Sequence, residues 1–344
     1  MDKDFDADAA LITKKPDIGR FGKTARRMAQ GAEGHISSRA VLNWRQDSEA
    51  LCNKALQTSF SAPELDGLKE TVRQSRMGEA LLARAETAGV RFCYDRQIVF
   101  SQLYPSAEGG PVISLHPDRP RGELVNLMIR ELRRFWQHAE GALVNPLNYE
   151  PDEAILVNRA LQADVLMVTI RTAWELRLAG HEESWGALTG SPVSDMSRTF
   201  EVRAQADFRT LNNGEAARAV YDKFFEDSRT RAHDKRIIHQ MLLDETGYIK
   251  SSEKRPKVTQ DLFFRLGQMP FGKNYLSIRA KHHPMDACYA TVEDRSNANF
   301  LWFVKFERSF QEKEKQLITE SVKLSAEIVD FAKWALKAGR QKEI

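Results

Sequence analysis

The sequence lacks the features that would announce several common functions. No stretch of 18 apolar residues occurs in the 344 residues, so no segment is long enough to span a bilayer as a helix. The opening MDKDFDADAALITKK is acidic where a secretory signal needs a basic region followed by an apolar core, and a cytoplasmic protein without membrane contact is expected. Cysteine is scarce. The three residues Cys52, Cys93 and Cys288 form no CxxC pair, which excludes a disulfide framework or a paired-cysteine zinc motif and leaves free thiols in a reducing compartment as the reading. Glycine-rich phosphate loops, dinucleotide fingerprints and nucleophile elbows are also missing. Net charge is small, +3 from 51 basic and 48 acidic residues, too little to imply nucleic acid as a partner by itself.

Composition still allows a sizeable core, because 42% of the residues are hydrophobic and the length suits one large domain or two smaller ones. Residues 1–48 are polar and show no sustained periodicity. From Lys14 to Arg45 they carry Lys14, Lys15, Arg20, Lys23, Arg26, Arg27, Arg39 and Arg45 against Asp17 and Glu33. Such a segment reads as a flexible basic arm, a solvated tail or a contact for nucleic acid or an acidic partner.

Beyond the arm, a helix is expected from Pro63 to about Ala88, ended by Gly89. Short strands are expected at Val90 to Tyr94, at Gln97 to Leu103 after a turn at Asp95 and Arg96, and at Val112 to Leu115 after the turn cluster Pro105 to Gly110. Two long helical patterns follow. In Leu124 to His138 the residues Leu124, Leu127, Met128, Glu131, Phe135 and His138 recur at three- and four-residue steps, so a carboxylate interrupts an apolar stripe. The second pattern, Pro151 to Gly180, opens with proline and acids in its first turn and has too many apolar positions for one stripe, which predicts packing on more than one side.

From His181 to Asp195 the pattern lapses, the best internal boundary. The expected organisation is an arm at 1–48, a core at 49–182 and a mostly helical C-terminal region at 196–344. In that region helices are read at about Phe200 to Arg209, Glu215 to Phe225, His233 to Glu245 and Leu262 to Leu266, with a charged loop at Lys250 to Lys257 and a turn at Met269 to Gly272. Extended segments are read at Tyr275 to Arg279 and Cys288 to Val292. Asn299 to Phe306 fits either a buried strand or the entry to a helix. A long amphipathic helix from Phe310 to Ala338 is expected to pack through Leu317, Ile318, Leu324, Ile328, Phe331, Ala332 and Leu336.

The segment from about Ala88 to Gly180, with Arg130, Glu131, Leu132, Arg133 and Arg134 at its centre, resembles an uncharacterised bacterial family described as metallopeptidases, and the likeness runs on through Tyr221 to Leu243 and Leu262 to Leu276. In that family a substrate-cleft strand precedes a helix carrying His-Glu-Leu-Arg-His. The resemblance implies an α+β, mostly helical, zincin-like core with a small sheet and a helical C-terminal extension. It also implies zinc held by the two histidines and by a residue of the next long helix, where this chain has Gln162 and Asp164, with the glutamate activating water. Here Glu131 is kept as the catalytic position, and both histidine positions, 130 and 134, are arginine. The same resemblance makes Val112 to Leu115 the edge along which a peptide would lie.

Arginine has no acceptor lone pair and stays charged, so Arg130 and Arg134 cannot ligate zinc, and an Arg–Glu ion pair is the expected chemistry at Glu131. No cofactor is expected. A displaced zinc or hard-ion site from His116, His138 and Asp164 near Glu131 is the alternative. His282 and His283 with Met285 and Asp286 fall beside Pro284 in a loop, and His233 and His239 are six apart, a poor ligand spacing. Trp136 beside Arg133 and Arg134, or Trp302 and Phe303 beside Lys305, offer stacking platforms for bases. Three functions are thus weighed: a non-catalytic, metallopeptidase-like protein binding a protein or peptide; a metal-dependent hydrolase with a displaced site; and a nucleic-acid-associated factor working through residues 14–45.

Overall fold

The structure, a computed structural model, describes residues 62–340 apart from 108, 227, 244–255 and 279. The basic arm and Cys52 lie outside the described residues, as does most of the charged loop after Lys250.

The expected first helix is two helices, α1 (Ala62–Arg73) and α2 (Arg76–Thr87). Ser75 breaks the run: its hydroxyl accepts from the Gly78 amide at 2.8 Å and so starts a new helix. Gly78 is needed there because a Cβ would overlap the Val72 carbonyl oxygen.

Strands β1 (Arg91–Tyr94), β2 (Ser101–Tyr104) and β3 (Val112–Leu115) form a sheet in the order β1-β3-β2. β2 and β3 are an antiparallel hairpin across the Pro105 to Gly110 turn, whereas β1 runs parallel to β3. Two expectations are corrected by this order. The Asp95-Arg96 turn does not join paired strands, and Val112 to Leu115 is the central strand rather than an edge. Burial explains the placement, since all four β3 residues are buried and an unbroken buried run suits a strand with neighbours on both sides.

The motif helix α3 (Arg121–Ala139) follows, then α4 (Pro151–Leu178). Twenty of the 28 residues of α4 are buried, so it is packed on more than one side, as its composition predicts. The lapse after His181 nevertheless contains a helix, α5 (Glu182–Thr189), whose Trp185 meets Trp174 edge to face at 5.1 Å. A Cβ at Gly122 would overlap the Glu183 carbonyl, so that glycine lets the first turn of α3 approach α5.

Next come α6 (Ser194–Ala206), α7 (Arg209–Asn213), α8 (Glu215–Phe224), α9 (Ser228–Leu243) and α10 (Gln260–Leu266). The turn at Met269 to Gly272 joins two-residue strands β4 (Gln268–Met269) and β5 (Lys273–Asn274). The extended segments expected around Tyr275 and Cys288 are not strands; Cys288 sits in a helical turn, α11 (Ala287–Ala290).

Helix α12 (Arg295–Arg340) absorbs the aromatic run at Asn299 to Phe306. Of the expected packing residues, only the side chains of Leu317 and Ile318 are described; those of Leu324, Ile328, Phe331, Ala332 and Leu336 lie outside the described residues. Asn297, Leu301, Val304 and Arg308 are buried, while Leu317 and Ile318 are 65% and 56% exposed. One apolar core runs from Leu65 to Val304, with α4 through its middle. The result is a mostly helical α+β fold with a small mixed sheet and a helical C-terminal extension. Among the described residues no helix is long and apolar enough to cross a membrane.

Candidate functional site

Glu131 lies at the middle of α3 and is 1% exposed. A buried carboxylate needs partners, and it has two. The Ser101 hydroxyl of β2 donates to Oε1 at 2.7 Å, and Arg134 Nη1 lies 3.2 Å from Oε1 and 3.4 Å from Oε2. The ion pair expected at this position is therefore present, made with Arg134 one turn along the helix.

Arg130 takes no part in that pair. It is half-buried, and its Nε is buried without a hydrogen-bond partner among the described residues. Burial, followed by the positive charge of Arg134, pushes its guanidinium down to about 10, against the weaker attraction of Glu131.

Asp164 faces α3, but on the side away from Glu131. Residues 131 and 133 are about 200° apart around a helix at 100° per residue, and Asp164 meets Arg133. The contact is bidentate, Nε to Oδ2 at 2.7 Å and Nη2 to Oδ1 at 2.8 Å, with both side chains 0% exposed. Gln137 and the Tyr275 hydroxyl add donors at 2.6 and 2.7 Å, and Arg133 spends its other N–H groups on the Leu266 and Gln268 carbonyls. Tyr275 is itself held far above its ordinary range, by burial first and by the Asp164 charge second. This is a buried structural network. Gln162, the other residue weighed for the third-ligand position, is half-buried.

The displaced metal set does not assemble. Among the described residues no three His, Cys, Asp or Glu side chains are grouped so as to hold a metal ion. His116 accepts the Asp118 amide within its own turn at 3.2 Å, His138 is exposed at the helix end, and Asp164 is saturated by Arg133. Zinc, implied by the metallopeptidase resemblance, does not fit these residues either: the guanidiniums at 130 and 134 offer no lone pair, and the carboxylates at 131 and 164 point to opposite sides of α3.

Other expected positions are absorbed by packing. His283 belongs to the core, stacked between Phe263 and Tyr289 at 4.1 and 4.0 Å, with Nε2 2.6 Å from the Tyr221 hydroxyl. A cavity of about 430 Å³ beside it is lined by Asp222, Glu226 and Cys288 among others, apart from α3. Cys93 is buried against Ser114, and the face of Trp136 is covered by Arg84 rather than by Arg133. Trp302 is 63% exposed and stacks on Phe306.

Sequence reading missed the second buried face of α3. Gly122, Asn126, Ile129, Arg133 and Gln137 recur at three- and four-residue steps and are all buried; Asn126 exchanges hydrogen bonds with Ser184. The spacing was visible, but polar side chains disguised it. A second fully buried pair was equally hidden: Arg159 of α4 binds Asp234 of α9 at 2.8 and 2.6 Å and also the Tyr289 and Thr291 carbonyls. Burial raises the Asp234 carboxyl while Arg159 opposes the shift.

A small mixed sheet against a helix with a buried glutamate, and a longer, mostly buried helix packed against that one, define a mostly helical α+β protein. Residues 42–277 match the model of the Putative metallopeptidase family (DUF6782), and the chain belongs to that family. No curated protein and no solved structure gives a match.

Proposed function

We propose that the protein is a non-catalytic member of its metallopeptidase family that works by binding a protein or peptide. The observation that supports this most is the state of Glu131. On the His-Glu-Leu-Arg-His pattern the water-activating glutamate sits between two zinc ligands, and in this chain it is instead clamped by Arg134 and Ser101 with Arg130 alongside. A base paired with a guanidinium and a hydroxyl is held in a salt bridge rather than free to take a proton from water, and among the described residues no group of His, Cys, Asp and Glu could hold the metal that water activation in this family uses. With β3 central in the sheet, the outer strand β2, which touches Glu131 through Ser101, is the strand beside which a peptide is expected.

The test is elemental analysis of protein purified without a metal-binding tag, combined with a peptide-hydrolysis assay of the native chain and Glu131→Gln. No stoichiometric zinc and no Glu131-dependent cleavage are expected. Zinc near one equivalent, together with hydrolysis abolished in Glu131→Gln, would overturn the reading in favour of a hydrolase.

A further inference from the structure

Helix α12 has two faces that carry apolar side chains, and the core covers one of them. Asn297, Leu301, Val304 and Arg308 are buried and recur at steps of three and four. At about 100° per residue these four centre on one side of the helix, and Trp302, Phe306, Phe310 and Leu317 centre on the opposite side. The second set is between 46% and 65% exposed. Its three aromatic rings stack in line, with centroids 5.3 Å apart from Trp302 to Phe306 and 6.5 Å apart from Phe306 to Phe310. Beyond Arg308 every described side chain as far as Lys323 is exposed, while the helix runs on to Arg340.

Helices in water owe most of their stability to the packing of an apolar face, so a stripe of aromatic and leucine side chains left in solvent calls for a cover. The sequence along this stripe indicates which one. Apolar residues recur at every seventh position, Phe303, Phe310, Leu317, Leu324, Phe331 and Ala338, the interval that keeps one seam facing another helix over many turns. The same geometry puts Lys313 and Glu320 along one flank of the seam and Ile318 on the other. In two such helices running antiparallel about a two-fold axis near Leu317, Lys313 of each copy lies opposite Glu320 of the other, and the two Ile318 side chains approach each other. Parallel copies would set both charges against the flank that carries Ile318. Charge complementarity therefore selects a second α12, and selects its direction.

The available surface is large enough. From Ser309 to Arg340 the helix is about 48 Å long, and a strip about 10 Å wide gives roughly 500 Å² on each copy and about 1,000 Å² in total, the size at which a specific interface begins.

We infer that α12 is a dimerisation helix: a second copy of this chain packs its own α12 antiparallel along the seam of Phe310 and Leu317, with Lys313 and Glu320 paired reciprocally across it. The inference does not depend on the peptide-binding reading, because it rests on α12 and uses neither β2 nor Glu131.

Sedimentation equilibrium of the full-length chain across the micromolar range tests it. The variants are Leu317→Lys, Lys313→Glu, Glu320→Lys and the double change Lys313→Glu/Glu320→Lys, with Lys323→Glu, which falls off the seam, as a control for charge. All of these positions are exposed and lie past Arg308, so circular dichroism should find each variant folded. A reversible dimer is expected for the native chain. Leu317→Lys should weaken it about tenfold or more, since the two-fold axis puts the new charge into the seam twice. Each single charge reversal should weaken it about fivefold or more, the double change should restore it, and Lys323→Glu should leave it as it was.

A native chain that stays monomeric, or a dimer indifferent to Leu317→Lys, would overturn the proposal. A dimer that needs Leu317 but ignores both charge reversals, or that the double change fails to restore, sinks the antiparallel pairing. A monomer that binds phosphatidylglycerol vesicles through Leu317 would put a lipid surface where the second copy is placed here.

Discussion

At the scale of single residues, the two carboxylates that a metallopeptidase reading singles out have opposite fates, both decided by arginine. Glu131 is at the interface of helix and sheet, held by one hydroxyl and one partly exposed guanidinium. Asp164 is sealed by Arg133, Gln137 and Tyr275. Removing one member of a fully buried pair strands the other charge and typically costs about 3–5 kcal/mol, whereas removing both costs far less than the sum. Arg133→Met and Asp164→Leu are therefore each expected to lower unfolding stability by about that amount, and the double variant to recover much of it, as measured by urea denaturation in a double-mutant cycle. Additive losses would mean that Arg133 and Asp164 do not depend on each other. An Arg–Glu pair at Glu131 was legible in the sequence, because Arg130 and Arg134 flank it on one helix, although which of the two makes it was not. Arg133–Asp164 was not, because nothing local says that residues 31 apart in the chain face each other.

Elements were legible where their signals are local. The start of α4 at Pro151, the hairpin over Gly109 and Gly110, and the end of α2 before Gly89 follow from turn and cap chemistry. Strand order was not, since β1 pairs in parallel with β3 across a connection that no turn rule governs. The exposure of Leu317 and Ile318 on α12 was missed for a related reason: periodicity reveals an apolar stripe, but only a partner decides which positions are covered, and the covered ones earlier in the helix include Asn297 and Arg308. Helix α4 organises all of this. It binds α3 through Asp164 and α9 through Arg159, and Glu175 accepts the Met77 amide of α2 at 2.7 Å. Arg159→Met would leave Asp234 buried and unpaired, so α9 is expected to loosen before the α3–sheet half does. Hydrogen exchange should show protection lost across Ser228 to Leu243 while α3 keeps its own; uniform loss across both would mean that the molecule opens only as a whole.

At the scale of the whole molecule, the family match and the folded core do not end at the same place. The match stops at residue 277, yet the core continues to Val304. Past residue 277 lie the Tyr289 and Thr291 carbonyls that satisfy Arg159, the Tyr289 hydroxyl that donates to Asp222, and His283 packed against Tyr221. Leu301 and Val304, also buried, belong to the same tail. Hydrogen bonds to a charged group contribute about 1.5–3 kcal/mol each and a buried aliphatic side chain about 1.5–3 kcal/mol. Losing this set would consume most of a typical stability of about 5–15 kcal/mol. A chain cut after Ser277 is therefore expected to lack a cooperative unfolding transition by circular dichroism. A chain cut after Glu312 keeps every one of these contacts, and the next residues along the helix are exposed, so its melting temperature should stay close to that of the full chain. A stable, cooperatively folding fragment ending at Ser277 would show that the C-terminal helices decorate the metallopeptidase-like core; its failure to fold would make them part of that core.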